Sequence, residues 1–185
     1  MTDSACNQLP RHDVDPGGLL EYSAVFSDRS LNHMSARFIG VMQELQEILR
    51  STYNASSMAV IPGGGTFAME SVARQFVRGK KALVIRTGQF SYRWSQIFEM
   101  GSLADETIVL GAEPTTDEAR PSYAPPAIEN AVARIREERP SFVIAAHVET
   151  AAGLELPDDY ITELARAAHD AGGLMILDCV ASGAK

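Results

Sequence analysis

Lysine is scarce in this chain of 185 residues: only Lys80, Lys81 and Lys185 occur. Basic residues as a whole are outnumbered, 16 Lys and Arg against 24 Asp and Glu, for a net charge of −8. They are also scattered, so the basic face that a nucleic acid or an anionic membrane requires is missing. Neither is expected as a partner. Cysteine is nearly absent. Cys6 and Cys179 stand far apart with no metal-ligand spacing, so both are read as free thiols in a reducing compartment, with no metal site. No apolar run is long enough to span a bilayer, and Met1-Thr-Asp-Ser opens no secretory signal, which makes the cytoplasm the default location. What is present is globular composition, 45% hydrophobic and 22% charged, enough for one domain with a sizeable core.

Residues 1–30 are polar and turn-rich at first, with Pro16-Gly-Gly18, then loosely alternating. They read as an arm or extended segment ahead of a domain over 31–185. A helix is expected over about 35–53, where Phe38, Val41, Met42, Leu45, Ile48 and Leu49 recur at three- and four-residue spacing. Ser57 to Ile61 reads as a short strand stopped by Pro62-Gly-Gly-Gly65, and 66–77 as a helix. Strands follow at 82–85, 106–110, 142–148 and 174–177. Helices lie between them at about 90–100, from Ile128, and from Pro157-Asp158. The segment 112–126, rich in Pro, Thr and acids, reads as a surface loop. Alternation of strand and helix from residue 57 onward predicts an α/β fold, a mostly parallel sheet with helices on both faces. The sequence stops at Lys185, directly after a strand expected in a sheet interior. The expectation is therefore the front part of a longer protein.

The best-placed reactive group is Asp178. Met175-Ile-Leu runs straight into it, so a buried strand delivers a carboxylate to the sheet edge where ligands bind in open α/β folds. A helix-capping role for the same Asp is equally open. Gly63-Gly-Gly-Thr66, between strand and helix, offers free amides and a hydroxyl to an anion, with a phosphate as the natural guest. A turn needing positive φ is the plainer reading. Thr87-Gly88-Gln-Phe90 and His147-Val-Glu-Thr150 also follow strands. Phe90, Tyr92 and Trp94 can stack on a flat ring or simply pack as core. His147 reads as a hydrogen-bonded structural residue, and Thr150 as a turn cap or a donor. A phosphate cradle, an aromatic plate, a hydroxyl and a carboxylate are together what pyridoxal phosphate needs.

These motifs, with His33-Met-Ser35 before the first helix and Asp178-Cys-Val-Ala-Ser182 at the end, resemble the class V aminotransferases. This group lies within the fold-type-I pyridoxal phosphate enzymes, and the alanine–glyoxylate, serine–pyruvate and phosphoserine enzymes are nearest in look. The resemblance runs from about residue 20 to the end. It implies an aminotransferase acting between an amino acid and a 2-oxo acid, in a homodimer. By it, Gly64, Gly65 and Thr66 hold the cofactor phosphate. Phe90 and Val180 cover the two ring faces, Thr150 stands near the phenolic oxygen, and Asp178 pairs with the ring nitrogen. It also implies that the Schiff-base lysine and the substrate-binding Arg belong to chain beyond Lys185. Met34 stands where phosphoserine enzymes usually carry Arg.

Three alternatives remain, one of them a non-enzymatic product that binds the cofactor poorly or binds only a partner subunit. Gly63, Gly65 and Ala68 fit G-x-G-x-x-A, with Arg86 about twenty residues on, as an NADP-binding Rossmann oxidoreductase would have. Other class V chemistry, a lyase or desulfurase, shares the same front half.

Overall fold

The structure, a computed structural model, describes residues 36–183. The N-terminal arm, Cys6, the His33-Met-Ser35 motif and Lys185 lie outside the described residues. One compact unit ends at Val60 and a second begins at Ile61. In the first unit, helix α1 spans Ala36–Thr52. Its apolar stripe forms as expected, yet Val41, Leu45 and Ile48 are exposed.

The second unit is an open parallel sheet between two helical layers. After helix α2 (Gly65–Val72) and a π turn at Ala73–Val77 come strand β1 (Lys81–Arg86), helix α3 (Gln89–Met100) and strand β2 (Glu106–Gly111). Helix α4 (Ile128–Glu138) leads to strand β5 (Phe142–Ala146), and helix α5 (Asp158–Asp170) to strand β8 (Leu174–Asp178). Two small ladders complete the list, β3 (Glu113–Pro114) with β4 (Tyr123–Ala124), and β6 (Val148–Glu149) with β7 (Leu154–Glu155).

The order across the main sheet is β2–β1–β5–β8, all parallel. The register runs Arg86↔Gly111, Ile85↔Ala145 and Ala146↔Asp178, so the strands finish nearly level. The chain starts at β1, steps one way to β2, then returns past β1 to β5. The reversal between β1 and β5 makes a crevice at the strands' carboxyl ends.

Alternation along each strand divides the core. Leu83, Ile85, Val143 and Ala145 face α4 and α5, where they meet Ile135, Leu164 and Ala168. Ala82, Val84, Phe142 and Ile144 face the other way and meet Trp94 and Phe98 of α3 with Ala73 and Val77 of the π turn. Both faces of β1 and β5 are covered, which is why their sequences are unbroken apolar runs. Tyr160 of α5, buried, donates from its hydroxyl to the Pro126 carbonyl at 2.9 Å. Lys81 anchors the start of β1 to Glu106 and Glu138, each at 2.9 Å. Hydrogen bonding to Glu106 and Glu138 raises its ammonium above the ordinary lysine range, and the bond to Lys81 lowers Glu138.

The expected strand at Ser57 to Ile61 does not form. These residues belong to no helix or ladder, and Val60 and Ile61 are exposed. A strand exists only through its partner's hydrogen bonds, and no described strand pairs here. The strand expected over 142–148 ends at Ala146, and Val148 turns into the β6–β7 ladder instead.

Candidate functional site

Three strand ends and one helix start converge at the carboxyl edge of the sheet. Asp178 closes β8. Its Oδ1 accepts the Val180 amide at 3.2 Å, an Asx turn that swings the chain away from the sheet. Its Oδ2 accepts the indole Nε1–H of Trp94 at 3.1 Å. Among the described residues Asp178 caps no helix; it holds its own turn and bonds to α3.

The glycine run divides by function. Gly63 has φ +133°, and a Cβ there would lie 2.9 Å from the Phe67 ring, so the turn itself demands glycine. Gly64 is extended at φ −78°, ψ 171°, and no described atom lies within 4 Å of the place a Cβ would take. A Cβ on Gly65 would meet only Val180 Cγ2, at 3.7 Å. Among the described residues nothing requires glycine at 64 or 65. What their missing side chains leave open is the approach to the Gly65 and Thr66 amides at the start of α2, the Phe67 amide being bonded to the Gly64 carbonyl at 2.9 Å. Thr66 stands in that first turn, and its Oγ1 accepts from Arg93 Nη1 of α3 at 3.1 Å. The sequence reading missed Arg93, because its link to Thr66 crosses 27 residues.

Phe90, half-buried, shares a face of α3 with Arg93 and Trp94 through three- and four-residue spacing. The start of that helix is held by Glu149, which is fully buried. The Glu149 carboxylate accepts the amides of Phe90 (3.0 Å) and Ser91 (3.0 Å) and the Ser91 hydroxyl (2.9 Å). An anion at a helix N-terminus is also favoured by the helix dipole. Gly88 is extended, as any residue can be, but a Cβ on it would lie 2.4 Å from Glu149 Cγ.

His147 is buried, with Nδ1 3.0 Å from Ser182 Oγ and its amide on the Asp178 carbonyl at 2.9 Å. It supports the turn that carries Val180, the structural role expected of it. Val180 is exposed, and Thr150 is exposed in the turn between β6 and β7. Gly65, Val180, Asp178 and Trp94 are thus joined by contacts, and Thr66 is joined to them through α3. Thr150 is linked only along the chain, next to Glu149.

A cleft of about 550 Å³ opens nearby, lined by Arg86, Thr87, Tyr92 and Tyr123 among others. It lies on the β1–β2 side, whereas Asp178 stands two strands away. The Arg86 guanidinium carbon rests 5.6 Å from the centre of the Tyr92 ring. No helix among the described residues is long and apolar enough to cross a membrane, and no cluster there has the groups to hold a metal ion.

The architecture is that of the pyridoxal phosphate-dependent transferase fold, the class expected from the sequence. Among solved structures, the chain is similar to ureidoglycine–glyoxylate aminotransferase from Bacillus subtilis, with TM-score 0.69 and 22% identity over 82% of this chain and 37% of that one. It is also similar to alanine–glyoxylate aminotransferase from Nostoc sp., with TM-score 0.67 and 22% identity over 82% and 38%. An aspartate aminotransferase of subgroup IV from Thermus thermophilus gives TM-score 0.64 and 24% identity over 83% and 40%. The chain thus spans well under half the length of these proteins. No family model and no curated protein matches it.

Proposed function

We propose that this chain forms the cofactor-binding part of a pyridoxal phosphate-dependent aminotransferase that moves an amino group between an amino acid and a 2-oxo acid. The observation that carries the reading is the meeting of two motifs far apart in sequence. Val180, on the turn after Asp178, comes within 3.7 Å of the Cβ position of Gly65. A glycine turn suited to an anion and the turn that follows a strand-end carboxylate are thus neighbours, as a small ring bearing a phosphate would require.

The residues fit the group. Gly64 and Gly65 leave the α2 amides open to a phosphate, with Thr66 and Arg93 beside them. Asp178 presents a carboxylate held by two donors and suited to a protonated pyridine nitrogen. Val180 offers an exposed apolar surface to one ring face, and Phe90 and Thr150 are proposed for the other face and the phenolic oxygen. When bound, the cofactor supplies an electron sink at the substrate's α-carbon. The chain's own part is to bind, orient and keep a negative charge at the nitrogen. A homodimer and a cytoplasmic location belong to the same proposal, as does assignment of the domain over 31–185 to the cofactor-binding large domain.

The NADP reading is weakened by its context. The Rossmann fingerprint needs a strand directly before the glycine turn, and residues 57–61 form none. Arg86 is engaged with Tyr92 instead. A lyase reaction on the same cofactor site is the remaining variant, and it differs in substrate chemistry rather than in the residues above.

The test is borohydride reduction of the native protein with pyridoxal phosphate, followed by intact mass and peptide mapping. One lysine carrying a pyridoxyl group, together with amino-group exchange between an amino acid and a 2-oxo acid, is expected. Absence of both labelling and cofactor binding would overturn the proposal.

A further inference from the structure

We infer that Trp94 is the positioning residue of this site: its indole N–H sets the orientation of the Asp178 carboxylate. The inference rests on the cofactor reading just given. The indole is a donor only, and a buried indole N–H must find an acceptor. Trp94 is 3% exposed, and its acceptor is Asp178 Oδ2. The ring cannot swing freely. It packs within the core on the α3 face of the sheet, with its centroid 6.1 Å from that of Phe98. The helix that carries it is fastened at its start by the buried Glu149.

The carboxylate is fixed from two directions. Val180 N–H holds Oδ1 and Trp94 Nε1–H holds Oδ2. A carboxylate has about four acceptor positions, so about two stay open for a cationic partner. Because the indole is fixed in the core, those positions point in a set direction before any ligand arrives. Pre-organisation of this kind favours binding by removing the ordering cost. Arg93, the neighbouring residue, reaches Thr66 at the cradle. Consecutive residues of α3 thus reach the carboxylate and the threonine of the glycine turn.

The experiment is a double-mutant cycle on the dissociation constant for pyridoxal phosphate, measured by equilibrium dialysis on the whole protein. It uses wild type, Trp94→Phe, Asp178→Ala and the double variant. Trp94→Phe keeps an aromatic ring in the core and removes the donor. It is expected to weaken binding about tenfold, the worth of a charge-assisted hydrogen bond. It should also shift the absorbance maximum of the bound cofactor, which simple loosening of the fold would not do. In the Asp178→Ala background the same change should cost nothing further. Additive losses, or wild-type affinity in Trp94→Phe, would overturn the inference. A cofactor-free readout separates it from the parent reading. Trp94 is the one tryptophan of these 185 residues. The emission that Trp94→Phe removes should therefore shift its maximum in Asp178→Ala. An unchanged maximum removes the pairing whatever the cofactor. If wild type fails to bind pyridoxal phosphate at all, the cofactor reading falls, and the positioning role falls with it even where the emission shifts.

Discussion

Gly88 and Glu149 compete for one volume: the Cβ that Gly88 lacks would stand 2.4 Å from Glu149 Cγ and 2.6 Å from Cδ. The glycine is there for the carboxylate and not for a turn. Gly88→Ala is therefore expected to destabilise the fold by about 3 kcal/mol, the cost of overpacking a filled site. Denaturant unfolding checks it. A change below about 0.5 kcal/mol, the size of a neutral surface substitution, would mean that Glu149 has room to retreat.

Among the described residues Glu149 pairs with no cation, and its carboxylate takes three donors from the start of α3. Glu149→Ala should cost about 3 kcal/mol, because it strands buried amides as well as removing packing. Glu149→Gln keeps an acceptor of the same shape and should lose roughly half of that. Thermal unfolding of the two variants side by side distinguishes hydrogen bonding from volume.

Gly65→Ala separates folding from binding. A Cβ at this position meets only Val180 Cγ2, at an ordinary contact distance of 3.7 Å. Alanine is the better helix former by roughly 1 kcal/mol, so stability should hold or rise. The added methyl narrows the approach to the α2 amides, and pyridoxal phosphate affinity should fall about tenfold or more, a loss of at least 1.4 kcal/mol. Loss of stability with unchanged affinity would remove Gly65 from the cradle.

Tyr160 gives the fold a limit at high pH. Burial, with a smaller contribution from Glu113, pushes its hydroxyl up to about 12 from 10.0. In the unfolded chain the phenol loses its proton near 10, whereas the folded protein retains it. The associated stability is complete below pH 10 and is lost as pH rises toward 12. Tyr160→Phe lacks the bond to the Pro126 carbonyl, so it should be about 1 kcal/mol less stable at pH 8 and should decline less between pH 10 and 12. Parallel alkaline slopes for the two proteins would contradict the assignment.

Much of the layout was legible because both kinds of element announced themselves. The runs Ala82 to Ile85 and Phe142 to Ala146 are apolar on both faces, as covered parallel strands must be. Residues 57–61 have the same composition and form no strand, because composition cannot supply a hydrogen-bonding partner. The two-residue ladders at Glu113–Pro114 and Val148–Glu149 are too short to show a period. At the site, Asp178 stood out by its place at a strand end and the glycine run by its composition ahead of a helix, although the strand expected before it does not form. The parts that escaped were pairings. Arg93 with Thr66, and Glu149 with the start of α3, join residues 27 and about 59 apart, and no local pattern encodes them. Trp94 was legible as core, and it is core. That its one polar atom reaches Asp178 depends on the angle at which α3 lies on the sheet.

The order of strands also bears on when this protein becomes able to bind anything. The bond between Trp94 and Asp178 spans 84 residues, and among the described strands β8 pairs with β5, which in turn pairs with β1. Helices and the β1–β2 pair can consolidate early through near neighbours, while closing so long a loop costs entropy that only late packing repays. The crevice is thus expected to assemble late in folding. A ligand added to a refolding chain should leave the early phases untouched and act by slowing the departure of β8.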